Sequence, residues 1–345
     1  MKIVLCAGGT GGHLFPVVAL YSSFKKKGHL VSIVTDKRGV LYCDNVKDKE
    51  VIGTLRFSLK GIVGFFVNSI QIFLNFLIKW RKNRPDVFIG FGGIMTIIPA
   101  LIAKLYGIKL VIYEQNSIVG RANRYLLKLA DLHLSTFALG GVWKMQSAPV
   151  RKEFFQKSAY KLSNKINILV IGGSQGAKSF SSMIPEAIEK MTRNERVQIS
   201  VVQQNLCSNT EDLKTKYEKM GVEADIRDFI HDMATPMKEC QLVICRSGAS
   251  TLAELSAVGR PAVLIPYPLA TDNHQLLNAK RYEQKGAAWI VEEGKNSVIR
   301  LKSFLSKFLK HPELLQSAAS NIKDSSLKNA ADDFVKIIEK LGNQI

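Results

Sequence analysis

One local pattern occurs twice in this chain and limits what it can fold into. Ile3 to Ala7 is a short apolar run, followed at once by Gly8-Gly9-Thr10-Gly11-Gly12-His13, then Pro16 and a helical stretch ending near Gly28. Ile166 to Ile171 repeats the arrangement, with Gly172-Gly173-Ser174-Gln175-Gly176 and a helix-like stretch from Ala177 to Met191. A buried strand, a glycine turn and a helix open a parallel βαβ unit, because the apolar run suits a strand covered on both faces and the glycines let the backbone turn sharply. A chain of 345 residues that starts such a sheet twice is predicted to hold two doubly wound α/β domains.

Further buried-strand candidates are Leu30 to Thr35, Val87 to Ile89, Leu110 to Tyr113, Gln198 to Val202, Leu242 to Cys245 and Ala262 to Ile265. They alternate with helical stretches, as parallel sheets require. Arg151 to Lys165 is polar and lysine-rich, and is read as the linker between the halves. The expected division is 1–155 and 160–327.

Charge narrows the partners. Lys and Arg number 48 against 29 Asp and Glu, so the net charge of +19 should attract nucleic acid, phosphorylated metabolites or an acidic membrane face. The chain shows no RNP-like aromatic motif and no zinc finger, and its lysines are dispersed, which argues against nucleic acid. Cys6, Cys43, Cys207, Cys240 and Cys245 form no C-x-x-C pair and have no histidine at finger spacing, which argues for reduced thiols in a cytoplasmic setting and against structural zinc. The first apolar run is too short for the core of a signal peptide. No Asp-x-Asp pair is present to hold a magnesium ion on a diphosphate, so neither metal nor cofactor is expected.

Gly61 to Ile78 contains no charged residue and sits near the lower length limit for crossing a bilayer. On a helical wheel Asn68, Gln71 and Asn75 fall within about 60° of one another, which leaves Phe65, Phe66, Phe73, Phe76 and Leu77 for the remaining surface. Lys60 precedes the stretch, and Lys79, Arg81, Lys82 and Arg84 follow it. Such a helix suits a protein core or the surface of an anionic membrane.

Three glycine loops could hold an anion at a strand-to-helix junction: Gly8 to Gly12, Gly172 to Gly176, and Ser247-Gly248-Ala249. There the first N–H groups of a helix point outward with partial positive charge, although close helix-to-strand packing explains such glycines equally well. The first loop fails the dinucleotide pattern at Leu14, although Asp36 mimics the ribose-binding acid of that fold. The second misses a Walker motif because Ala177 precedes Lys178. The third is the densest: Arg246-Ser247-Gly248-Ala249-Ser250-Thr251-Leu252-Ala253-Glu254, followed by Pro266-Tyr267-Pro268 and Asp272-Asn273-His274-Gln275.

Taken in order, Gly8 to His13, Glu114-Gln115-Asn116, Pro149-Val150-Arg151, Gly172 to Ala177, Phe229-Ile230, Arg246 to Ala249, Glu254 and Gln275 make the chain resemble the MurG family of glycosyltransferases nearly end to end. The resemblance implies the GT-B architecture, two Rossmann-like parallel-sheet domains facing across a cleft, with a C-terminal helix at about 328–345 packing back on the first. It implies transfer of GlcNAc from UDP-GlcNAc, with inversion, to the 4-hydroxyl of undecaprenyl-pyrophosphoryl-MurNAc-pentapeptide. The first domain would face acceptor and membrane, from the cytoplasmic side, and the second would bind the donor.

Carried onto this sequence, the resemblance puts uracil at the Ile230 backbone, ribose at Glu254, and diphosphate near Ser174, Ala249 and Ser250, with the substrate-binding run extending through Thr251, Leu252 and Ala253. Arg151 would close over the nucleotide. Thr10, Gly11, Gly12, Asn116 and Gln275 would meet the donor sugar or diphosphate. The reaction needs a base for the acceptor hydroxyl, and His13 is the first candidate, having a side-chain pKa in the useful range, with Glu114 the second. A UDP-sugar 2-epimerase would share the architecture without needing a lipid. The sequence departs from the family at Tyr113, where His is common, at Ile94, where Tyr commonly follows paired glycines, and at Ser147-Ala148, where Gly-Asn is usual.

Overall fold

The computed structural model describes residues 1–43, 46–53, 62–156, 159–173, 176–206 and 209–343. Two units divide the chain: one is Met1–Arg151 with Ser326–Ile345, the other Lys152–Ser325. The first runs β1 (Lys2–Cys6), α1 (Gly11–Lys26), β2 (Leu30–Asp36), β3 (Lys49–Ile52), α2 (Ile62–Lys82), β4 (Val87–Gly90), α3 (Ile97–Leu105), β5 (Lys109–Glu114), α4 (Arg121–Leu126), β6 (Leu132–Ser135) and β7 (Lys144–Met145). The second runs β8 (Ile166–Ile171), α5 (Phe180–Glu189), α6 (Arg193–Arg196), β9 (Ile199–Gln204), α7 (Thr210–Lys219), β10 (Glu223–Arg227), α8 (Ala234–Glu239), β11 (Leu242–Cys245), α9 (Ala249–Val258), β12 (Ala262–Leu264), α10 (His274–Gln284), β13 (Ala288–Ile290), α11 (Ser297–Lys310) and α12 (Glu313–Ile322). The last helix, α13 (Ala330–Gly342), belongs to the first unit.

Both sheets are parallel. The first has the order β3-β2-β1-β4-β5-β6-β7 and the second β10-β9-β8-β11-β12-β13. In each, the strand order reverses once, between β1 and β4 and between β8 and β11. At such a reversal the loops leaving the two strands diverge to opposite faces and open a crevice at the C-terminal edge, where doubly wound sheets bind ligands. The glycine loops after β1 and β8 stand at these two places.

The central strands are apolar throughout because both faces are covered. In the first unit, Ile3, Leu5 and Ile33 meet α1 through Leu14, Val17, Leu20 and Phe24 on one side. Val4, Cys6 and Phe88 meet Ile72, Phe76 and Trp80 of α2 on the other. Phe334, Val335 and Ile338 of α13 complete the α1 side, with the Phe334 ring stacked on Phe91 and edge-on to Tyr113. Each such fully buried side chain contributes about 1.5–3 kcal/mol, so α13 is bound as part of this core. Tyr113 lies in the same cluster with no exposure, packed beneath Phe334 of α13, its hydroxyl 2.6 Å from Thr136 Oγ1.

The switch between units falls at the front of the expected linker. Phe154, on a short 3-10 turn at Lys152–Phe155, is buried in the second unit, and the Tyr160 hydroxyl donates to the Gln241 carbonyl. Asp36 is not available to a ribose: it is buried, pairs with Arg38 at 2.6 Å, and accepts the N–H groups of Arg38 and Gly39. A Cβ on Gly9 would run into that carboxylate, so Gly9 admits close approach of β1 and β2 loops.

Helix α2 buries Ile72, Phe76 and Trp80, whereas Phe66, Val67, Ile70, Phe73, Leu74 and Ile78 are exposed. Phe73 therefore faces outward and Phe76 inward, one turn apart. The start of the stretch at Gly61 lies outside the described residues. Among the described residues no helix is long and apolar enough to cross a membrane.

Candidate active site

In the first unit three loops meet at the strand-order reversal. Thr10 is the N-cap of α1, with extended backbone, yet its hydroxyl does not cap the helix. It lies 3.2 Å from His13 Nδ1 instead, so a residue type that ordinarily satisfies helix amides serves here to orient an imidazole. Gly11 and Gly12 form the first turn of the helix between them. The loop after β4 has two successive left-handed glycines, Gly92 at φ 85° and Gly93 at φ 84°, conformations that other residues adopt only under strain. A Cβ on Gly92 would lie 3.8 Å from both His13 Nε2 and Asn123 Nδ2, which puts these two side chains at the same small opening.

Glu114 ends β5 and is buried at 4% exposure. Its Oε1 accepts from the Asn116 N–H and the Asn116 amide, each at 3.0 Å. Oε2 accepts from the Gly120 N–H at 2.8 Å and from Asn123 Nδ2 at 2.9 Å. Four donors on one carboxylate fasten the loop from β5 to α4, so Glu114, the second candidate base, has a structural role there as well. Asn116 is likewise drawn inward to Glu114. Arg151 lies with its guanidinium 4.2 Å from the Phe15 ring centroid of α1, within the first unit.

In the second unit the corresponding edge is braced by Arg246, which follows β11. Its side chain pairs with Glu293 at 2.6 Å, donates to the carbonyls of Ile265 and Pro266 and to Ser179 Oγ, and lies over the rings of Phe180 and Tyr267. Ser179 donates in turn to Glu293 at 2.7 Å. One buried cation thus ties together the segments leaving β8, β11, β12 and β13. Sequence reading quoted Arg246 only as part of a motif. Its bracing role shows only when four distant segments converge.

Helix α9 begins beside this brace. Gly248 is the N-cap, in extended conformation, and a Cβ there would meet nothing within 4 Å. The first intrahelical bond runs from the Leu252 N–H to the Gly248 carbonyl at 3.1 Å, which leaves the N–H groups of Ala249, Ser250 and Thr251 outside the helical ladder. Leu252 has no exposure and its N–H is already bonded, and Ala253 packs in the same buried helix. Glu254 is buried one turn further in.

Gln275, in the first turn of α10, accepts the Tyr267 N–H on Oε1 at 3.0 Å, and its carbonyl accepts from Ser247 Oγ at 2.8 Å. Asp272 and Asn273, just before it, are the two non-glycine residues with positive φ among the described residues, at 52° and 54°. Backbone held in that region costs about 1–3 kcal/mol per residue and tends to persist at sites that use it.

The second loop differs from its expected form. Helix α5 starts at Phe180, so Gly172 to Gly176 is separated from it by a turn, and Gly173 and Gly176 are both left-handed. Ser174 lies outside the described residues. Ile230 is buried beside exposed Phe229, in a cavity of about 530 Å³ bordered also by Leu169, Val202 and His231. Among the described residues no group of three or more His, Cys, Asp or Glu could hold a metal ion. Burial pushes the Cys240 thiol up to about 12 and those of Cys6 and Cys245 higher, so none of these is a nucleophile near neutral pH.

Residues 3–134 match the glycosyltransferase family 28 N-terminal domain, and residues 167–334 match the family 28 C-terminal domain. A Rhodospirillum rubrum protein named UDP-N-acetylglucosamine--N-acetylmuramyl-(pentapeptide) pyrophosphoryl-undecaprenol N-acetylglucosamine transferase is 33% identical, over 96% of this chain and 89% of its own. This chain belongs to glycosyltransferase family 28. Within it, the crystal structure of Acinetobacter baumannii MurG superposes with a TM-score of 0.80 at 26% identity, covering 98% of this chain and 99% of that one. The family 28 member described here is therefore a glycosyltransferase of the MurG type with the GT-B architecture. A putative UDP-N-acetylglucosamine 2-epimerase from Listeria monocytogenes shares the fold, with a TM-score of 0.68 at 12% identity over 100% of this chain and 97% of that one.

Glu114→Gln replaces one carboxylate oxygen by an NH2 group that must face two donors. The loop-fastening role predicts a loss of about 1–3 kcal/mol in denaturant unfolding of the variant. Unchanged stability with turnover alone reduced would restore Glu114 as a base.

Proposed function

We propose that the chain transfers GlcNAc from UDP-GlcNAc to the 4-hydroxyl of undecaprenyl-pyrophosphoryl-MurNAc-pentapeptide, with inversion at the anomeric carbon. The single observation that carries this reading is full-length similarity to proteins named for that transfer, in a chain whose two strand-order reversals both carry glycine loops. The second unit is the donor side. Its α9 amides at Ala249, Ser250 and Thr251 receive the diphosphate, Ile230 the uracil, Glu254 the ribose, and Gln275 the sugar. Ser174 belongs to the same proposal as a diphosphate contact, Arg151 as the residue that closes over the nucleotide, and Thr10, Gly11, Gly12 and Asn116 as contacts to donor sugar or diphosphate.

The acceptor hydroxyl attacks from the face opposite the departing UDP. His13 takes its proton: with Nδ1–H donating to Thr10 Oγ1, Nε2 is the basic nitrogen and faces the opening at Gly92. Negative charge growing on the leaving diphosphate is stabilised by preoriented amides, whose dipoles need no reorganisation as the bond breaks. The arrangement asks for no metal or cofactor.

An acceptor carried on a polyprenyl chain stays in the bilayer, so the enzyme binds there peripherally, on the cytoplasmic face. The exposed band Phe66, Val67, Ile70, Phe73, Leu74 and Ile78, beside Arg81, Lys82 and Arg84, suits anionic headgroups above an acyl boundary. The same net charge is assigned to membrane, not nucleic acid.

Transfer of labelled GlcNAc to a short-chain lipid acceptor, with and without chelator, tests the activity. His13→Ala is expected to lower turnover at least a hundredfold with UDP affinity unchanged. Rapid epimer formation from UDP-GlcNAc alone, without transfer, would favour the 2-epimerase. Sedimentation with vesicles of anionic lipid tests the membrane face: Phe66→Glu with Phe73→Glu should release the protein, and binding indifferent to those changes, to salt and to lipid charge would refute it.

A further inference from the structure

Two hydrogen bonds, running in opposite senses, join the start of α9 to the first turns of α10. Ser247, the residue before the N-cap Gly248, donates its hydroxyl to the Gln275 carbonyl at 2.8 Å. Asn278, three residues further along α10, donates its Nδ2 to the Ser247 carbonyl at 3.2 Å. Ser247 and Asn278 are both buried with no exposure, so water does not compete for these groups. One bond would let α9 pivot against α10. Two bonds on one residue, through its side chain and through its backbone, hold it in a single place.

The connection bears on the segment between β12 and α10. That segment passes through exposed Tyr267 and Leu269 to Asp272 and Asn273, with their left-handed backbone. Arg246 holds its beginning, through the Ile265 and Pro266 carbonyls and the Tyr267 ring. Ser247, the next residue, holds the helix at its end. Strained backbone persists only where its surroundings over-determine it, and the bonds at Ser247 supply part of that.

We propose that Ser247 and Asn278 are positioning residues that lock the amides of α9 and Gln275 into one unit, so that a diphosphate and the sugar it carries are read at a fixed spacing. The inference rests on the reading that those amides take the diphosphate and Gln275 the sugar. With the lock loosened, either contact still forms, but making both in one pose costs extra ordering. The loss therefore falls on a ligand that needs both. A sugar nucleotide does, whereas UDP asks nothing of Gln275.

Calorimetric titration of the whole protein with UDP and with UDP-GlcNAc tests it. Asn278→Ala and Ser247→Ala should each weaken UDP-GlcNAc about tenfold and leave UDP within about twofold. Ser247→Ala removes a single oxygen atom, and unaltered UDP binding shows that the second unit of a variant is folded. Gln275→Ala should cost the parent protein about tenfold in UDP-GlcNAc affinity, but add less than about twofold to the loss in Asn278→Ala. Losses that add in full, or a loss for UDP equal to that for UDP-GlcNAc, overturn the lock. Gln275→Ala without effect on the parent's UDP-GlcNAc affinity overturns instead the placing of the sugar, and the lock with it.

Discussion

Parallel pairing sends every strand of each sheet in one direction, so all the loops that follow strands collect along one edge, and the reversal of strand order opens that edge at one point. The glycine loops and several of the candidate site residues lie at or beside those two points. In the first unit they gather the Thr10–His13 pair, the left-handed Gly92-Gly93 and the Glu114 network. In the second they gather the open start of α9 and the loops tied by Arg246. The two edges share a topology, and the proposed reading divides the chemistry between them: one presents side chains, the other amides.

Stiffness at these edges comes from polar groups that never touch substrate in this account. Glu114 and Arg246 play the same part with opposite charge. Each is buried at a strand end, and each satisfies loop backbone or neighbouring side chains that would otherwise wander. Loop amides are useful to a developing anion only if they are held in place beforehand, and a charged hub inside the protein holds several of them at once.

Much of this was legible in the sequence for physical reasons. Central strands such as Ile166–Ile171 and Leu242–Cys245 are covered on both faces and so read as continuous apolar runs. The strands that sequence reading passed over are short or partly polar: Lys49–Ile52, Leu132–Ser135, Lys144–Met145, Glu223–Arg227 and Ala288–Ile290. Glu223–Arg227 alternates exposed and half-buried residues at the sheet margin, so its composition resembles a loop. Glycine spacing marked the loops after β1 and β8 but not where the second one's helix starts, since Ala177 to Ser179 forms a turn before α5. The role of Arg246 depends on contacts between segments far apart in the chain, and that of Glu114 on how the loop from β5 to α4 closes back on it, and neither shows in a residue pattern.

A crystal structure of the protein with UDP-GlcNAc bound tests the central claim most directly. The account predicts diphosphate oxygens within hydrogen-bond distance of the N–H groups at the start of α9, with the Arg246–Glu293 pair intact behind them. A nucleotide seated elsewhere, or a diphosphate held only by a metal ion with those amides turned to protein partners, would contradict it.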